Sequence, residues 1–120
     1  MSDRAGIATP EAVIAAIQGN AYRFTSERDL QDGIGIALFK MYPSREHVLG
    51  PTDRPDFFID GIAIEVKPEG SLSALTRQVH RYAGYDEVRA VVVVTSRHRL
   101  AQLPPEMNGK PVSVVIVERA

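Results

Sequence analysis

Cysteine is absent from this 120-residue chain. That excludes disulfides, thiolate metal sites and cysteine nucleophiles together, and it leaves oxygen or imidazole ligands for any metal, so zinc is disfavoured. No run of about eighteen apolar residues occurs, so no membrane-spanning helix is expected. The opening Met-Ser-Asp-Arg lacks the basic-then-apolar layout of a signal peptide, and a cytoplasmic protein with no membrane partner is expected. Charge of one sign is also lacking, because 14 basic residues stand against 15 acidic ones for a net charge of −1. This balance gives no global sign of nucleic-acid binding. Eleven of the fourteen basic residues are nevertheless Arg, whose planar fork suits phosphate, so a local basic surface stays open.

What is present suits one compact domain over 1–120, with 44% hydrophobic residues to build a modest core. Thr9-Pro10-Glu11 starts a helix over 10–18 that Gly19-Asn20 stops. This helix belongs to an N-terminal extension over 1–25, ahead of a core over 26–118. Ser26 starts a second helix reaching about residue 40, with Asp29 as capping-box acid and Leu30, Ile34, Leu38 and Met41 as its apolar stripe. Residues 45–49 read as a strand, followed by a hairpin over 55–67. Ser71 caps a helix over 72–84, and the apolar run 88–95 reads as a strand buried on both faces. A short helix, the Pro104-Pro105 break and a last strand over 112–117 complete the order α-α-β-β-β-α-β-α-β. The fold class expected is α/β, an α+β mixed sheet with helices on its faces.

The hairpin is the informative element. Asp60-Gly61 favours a type I′ turn, which pairs Ile59 with Ile62, Phe58 with Ala63 and Phe57 with Ile64. The next pair is then Asp56 with Glu65, at a non-hydrogen-bonded position where opposing Cβ atoms lie about 4.5–5.5 Å apart. Alternation puts Lys67 on the face of Glu65 and sends Phe57, Ile59, Ile62, Ile64 and Val66 to an apolar face. Two readings follow. Opposed carboxylates can hold a hard divalent metal, or they can lie on a solvated hairpin and be screened by water and Lys67.

The surrounding motifs add a resemblance. A helix with Glu27, then Arg54-Pro55-Asp56, then Glu65-Val66-Lys67, then a helix bearing Gln78 and Tyr82, is similar to the motif order of the PD-(D/E)XK nuclease superfamily. The stretches Ser26-Glu27-Arg28-Asp29-Leu30-Gln31 and Arg77-Gln78-Val79-His80-Arg81-Tyr82 resemble those of small phage or prophage-type nucleases. The resemblance implies a restriction-endonuclease-like fold, a DNA substrate in recombination, repair or replication, and Mg²⁺, with Mn²⁺ able to substitute. It assigns metal binding to Asp56, Glu65 and the Val66 carbonyl. Lys67 then orients a water and offsets charge on phosphorus.

Glu27 is an added ligand candidate, with Glu46 as its rival, and a plain helix N-terminal charge is the alternative for Glu27. Gln78 and Tyr82 share one face of their helix and join Asp56, Glu65, Lys67 and Glu27 as candidate catalytic residues, with core packing as the alternative for Tyr82, while Arg77 and Arg81 share another face. With Arg54, the two arginines are candidate DNA contacts, or else an ordinary solvated face. A homodimer is expected if two equivalent strands are cut. The rival class is a non-catalytic DNA-binding or assembly subunit on the same fold, and a metal-binding or interaction module is a third.

Overall fold

The computed structural model describes residues 7–119. The order is α1 (Pro10–Gln18), α2 (Glu27–Ala37), β1 (Ser44–Arg45), β2 (Phe57–Ile59), β3 (Ile62–Val66), α3 (Leu72–Ala83), β4 (Ala90–Thr95), β5 (Glu106–Met107) and β6 (Lys110–Ile116), with 3₁₀ turns at Phe39–Met41 and His98–Gln102. The six strands form one mixed sheet in the order β1-β2-β3-β4-β6-β5. Strands β3, β4 and β6 run parallel, while β1, β2 and β5 pair antiparallel to their neighbours.

The helix caps follow from side-chain chemistry. Thr9 Oγ1 accepts from the Ala12 N–H at 3.1 Å, Ser26 Oγ from Asp29 at 3.1 Å and Ser71 Oγ from Ala74 at 3.1 Å. Each satisfies a donor that the first turn leaves unpaired. The Asp29 carboxylate reaches past Ser26 to Thr25, taking its N–H at 3.1 Å and its hydroxyl at 3.0 Å, so the reciprocal half of the expected box is displaced by one residue.

The sheet separates two apolar layers. Val13 and Ile17 of α1 and Leu30 and Ile34 of α2 pack on Phe57, Ile59, Ile62, Ile64, Val66, Val92 and Val94. Leu75, Val79 and Tyr82 of α3 cover the opposite face with Ala63, Val91, Val93 and Leu100. Every residue of β4 is buried, which accounts for its unbroken Ala-Val-Val-Val-Val-Thr run. Each buried Val, Leu or Ile contributes on the order of 1.5–3 kcal/mol.

Two expectations are corrected, the short helix is present in a tighter form, and one strand is added. The second helix ends at Ala37 and tightens into the 3₁₀ turn rather than reaching residue 40. The strand expected over 45–49 is two residues, Ser44–Arg45, because Glu46 turns to φ 52 and leaves the ladder. The short helix after β4 is 3₁₀. An unforeseen strand β5 returns into β6 through Asn108-Gly109, at φ 52 and 76, a two-residue turn of the kind that closes hairpins.

Candidate functional site

Asp60 and Gly61 take φ 47 and 84, and the expected register over Phe57–Ile64, Phe58–Ala63 and Ile59–Ile62 is present. Because β2 and β3 are antiparallel, the start of one and the end of the other lie at the same sheet edge. That edge is also the carboxyl end of the parallel strands, where open α/β sheets leave room for ligands. Asp56 and Glu65 therefore meet there, though not as the ladder pair expected. The β2–β3 ladder stops at Phe57, the chain bends at Asp56, and Asp56 Oδ2 accepts the Val66 N–H at 2.7 Å. The same N–H that would continue a sheet is thus spent on holding a carboxylate.

Burial excludes the solvated alternative for Glu65. The hairpin face carrying Glu65 is covered by α3, leaving Glu65 5% exposed. Its oxygens are held from that helix, since Tyr82 Oη donates to Oε1 at 2.9 Å and Gln78 Nε2 donates to Oε2 at 3.2 Å. Gln78 also donates to Tyr82 Oη at 3.1 Å, as their one-turn spacing allows.

Asp56 is held in parallel fashion from α2. Gln31 Nε2 donates to Asp56 Oδ1 at 3.1 Å and to Glu27 Oε2 at 3.2 Å, so Glu27 reaches the site through an amide while its own side chain is exposed. No sequence motif gives Gln31 a role, yet it stands one turn after Glu27, and that spacing is the signal that finds it. Glu46 is exposed and touches Asp56 through its backbone N–H, which donates to the Asp56 carbonyl at 3.1 Å.

Electrostatics follow from this burial. Burial pushes the Asp56 carboxyl up to about 6, against the Val66 N–H, with Glu27 adding repulsion and Lys67 opposing it. Burial pushes Glu65 up to about 8, with Asp56 as the next cause, against Tyr82 and Lys67. Burial and then the Glu65 charge raise the Tyr82 phenol, so Tyr82 keeps its proton and remains a donor.

Lys67, Arg77, Gln78 and Arg81 line a cleft of about 320 Å³ beside Ser71 at the start of α3. Arg81 is already engaged, its Nε lying 3.0 Å from Asp53 Oδ1. Asp53 is 3% exposed and also accepts from Tyr85 Oη at 2.8 Å, which ties the loop before Asp56 to α3. No sequence pattern marked Asp53 or Tyr85, because a loop carries no periodicity. Arg77 and Arg54 are exposed, Arg54 two residues before Asp56.

No protein-family model, no curated protein and no solved structure matches this chain. Among the described residues no helix is long and apolar enough to cross a membrane. Among the same residues no three His, Cys, Asp or Glu side chains gather as a metal-holding group. The acid pair therefore offers two carboxylates, with any further ligands left to backbone, water or substrate oxygens, the donor types that Mg²⁺ accepts.

Proposed function

We propose that this protein is a metal-dependent nuclease of the PD-(D/E)XK type, on a restriction-endonuclease-like fold, hydrolysing DNA phosphodiester bonds with Mg²⁺ or Mn²⁺. One observation carries the reading. All four carboxylate oxygens of Asp56 and Glu65 are met by donors: the Val66 N–H, the Gln31 amide, the Tyr82 hydroxyl and the Gln78 amide. Such surroundings are shaped for ionised carboxylates, yet burial and mutual repulsion favour their protonated forms. A divalent cation resolves that conflict, and each oxygen keeps a second lone pair to offer it.

Asp56 and Glu65 would hold the metal, with the Val66 carbonyl as a further oxygen ligand. Bound metal would supply Lewis-acid polarisation of a phosphate and acidify a water. Lys67, in the cleft beside Gln78, would orient that water and offset charge on phosphorus. Gln78 and Tyr82 position Glu65, Gln31 positions Asp56, and the exposed Arg77 and Arg54 would meet the DNA backbone.

A second reading has its own support. Glu65 is almost fully buried with both oxygens hydrogen-bonded, as a structural acid in a non-catalytic DNA-binding subunit would be. Cleavage of labelled linear, nicked, flapped and four-way DNA with Mg²⁺ or Mn²⁺, beside Lys67→Ala, separates the two. The nuclease reading expects cutting that Lys67→Ala abolishes, and binding in Ca²⁺ without cutting. Salt-sensitive binding with no cutting on any substrate supports the subunit.

A further inference from the structure

The sheet edge that carries the acid pair holds a second, basic cluster. Strand β4 ends at Thr95 and β6 at Ile116, and the residues that follow them line a cleft of about 320 Å³ with Glu69, Arg97, His98, Glu118 and Arg119 around it. Two of the arginines are held in place. The Arg97 N–H donates to the buried Thr95 hydroxyl at 3.0 Å, and its carbonyl accepts from the Leu100 N–H at 3.0 Å, which fixes the start of the 3₁₀ turn. The Arg119 guanidinium lies 4.5 Å from the centre of the ring of Phe24, which is itself buried. Glu69 is the centre of the cluster. It pairs with Arg97, and that hydrogen bond, with the charges of Arg97, Arg99 and Arg119, holds its carboxyl below the ordinary carboxylate range. Arg99 and Arg119 make no ion pair among the described residues. Two carboxylates, Glu69 and Glu118, thus stand among three guanidinium groups, and positive charge is left over. The Glu69 and Arg97 side chains are 64% and 49% exposed, so water screens their pair and an incoming anion can replace the carboxylate.

We propose that Arg97, Arg99 and Arg119 hold a backbone phosphate of the bound DNA strand, and that Glu69 occupies their site until the strand arrives. The proposal takes its substrate from the nuclease reading and rests on it. The planar fork of Arg grips carboxylate and phosphate oxygens alike, which is why Glu69 can stand in for the phosphate. The two sites share one edge. The Lys67 N–H bonds the Val94 carbonyl at 2.8 Å and the Val117 N–H bonds the Thr95 carbonyl at 2.9 Å, so the ends of β3, β4 and β6 lie side by side in register. Neighbouring strands stand about 4.8 Å apart, which puts the end of β6 about 10 Å from that of β3. Phosphates on one DNA strand rise about 3.4 Å each, so the cluster takes a phosphate roughly three nucleotides from the one at Lys67.

Fluorescence anisotropy with a labelled single-stranded oligonucleotide in Ca²⁺, where binding without cutting is expected, tests this. Arg97→Ala and Arg99→Ala should each weaken binding about threefold or more, and each should lower the slope of log affinity against log salt by about 0.7. Arg99 is exposed and outside any ion pair, so its variant keeps the test independent of folding. Glu69→Gln should act in the opposite direction and tighten binding about threefold, because it removes the competing carboxylate. Glu11→Gln makes the same charge change on α1, whose lead-in residue Ala8 bonds to Asp60 at the opposite end of the sheet, and should leave the affinity unchanged. A Glu69→Gln protein with unchanged or weaker binding and a lower melting temperature would mark a purely structural ion pair and overturn the proposal. Inorganic phosphate is the competitor that separates a free ion from a strand. Arginine variants that lose phosphate competition but bind the oligonucleotide as wild type does would assign the cluster to a free anion and overturn it equally. Arginine variants that bind as wild type does, while Lys67→Ala abolishes cleavage in Mg²⁺, overturn the phosphate site and leave the nuclease reading standing. Arginine-dependent binding by a wild type that cuts no substrate supports the phosphate site and sinks the nuclease reading.

Discussion

Glu65 shows how an ionisable group is accommodated in an apolar layer. An unpaired buried carboxylate is costly, and here α3 supplies a hydroxyl and an amide while Lys67 lowers the proton affinity from the cleft. Tyr82→Phe deletes one of those donors without changing the packed ring. It should destabilise the protein by about 1–3 kcal/mol where Glu65 is ionised. The loss should be larger near pH 9 than near pH 6, because a protonated Glu65 needs the donor less. Urea unfolding at the two pH values measures the difference, and equal losses would show that the hydroxyl does not serve the carboxylate. Lys67→Ala, by contrast, removes a half-buried side chain at the cleft wall. It should abolish cleavage and leave the circular dichroism spectrum unchanged.

At the scale of elements, the hairpin sets where the two acids stand. Gly61 lies at φ 84, and a Cβ there would come 3.0 Å from Arg89 Cγ and 3.1 Å from the Glu87 carbonyl. Gly61→Ala should cost at least about 1 kcal/mol and lower the melting temperature, with a proportionate loss of the proposed metal-dependent cleavage if the register shifts. Thermal denaturation beside the cleavage assay reads both. This turn was legible in the sequence because Asp-Gly chemistry is local, as were the Thr9, Ser26 and Ser71 caps and the doubly buried β4. The less legible parts depend on tertiary contacts. Glu46 leaves the ladder where the strand was expected to continue, and Asp56 turns its carboxylate to the Val66 N–H because β2 stops at Phe57. The hairpin face that one of the two readings left solvated is roofed by α3, which no periodicity in the hairpin announces. The β5–β6 turn at Asn108-Gly109 did have a local signal, overshadowed by the Pro104-Pro105 break beside it.

For the whole molecule, the acid pair couples folding to protons and, on the proposed function, to metal. Asp56 and Glu65 have folded-state proton affinities above their unfolded values, so between the ordinary carboxylate range and about pH 8 the folded state binds more protons than the unfolded one. Stability of the metal-free protein should therefore fall as pH rises through that window, since the slope follows the excess of protons bound by the unfolded state, which is negative here. Asp56→Asn removes one charge and relieves its repulsion on Glu65. In chelator near neutral pH the variant should melt at a higher temperature than wild type, and the gap should shrink toward acid pH, where protonation relieves wild type as well. Mg²⁺ or Mn²⁺ should raise the wild-type midpoint more than the variant's, because a ligand that binds only the folded state stabilises it by mass action and the variant has lost half of the paired carboxylates. The ranking should then narrow or reverse with metal. Two thermal-shift series, one in chelator and one in metal, each run from about pH 5 to pH 9, read all of these effects. An Asp56→Asn protein no more stable than wild type in chelator, with metal shifting both alike, would mean that the two acids share neither repulsion nor a cation, and the nuclease assignment would lose its centre.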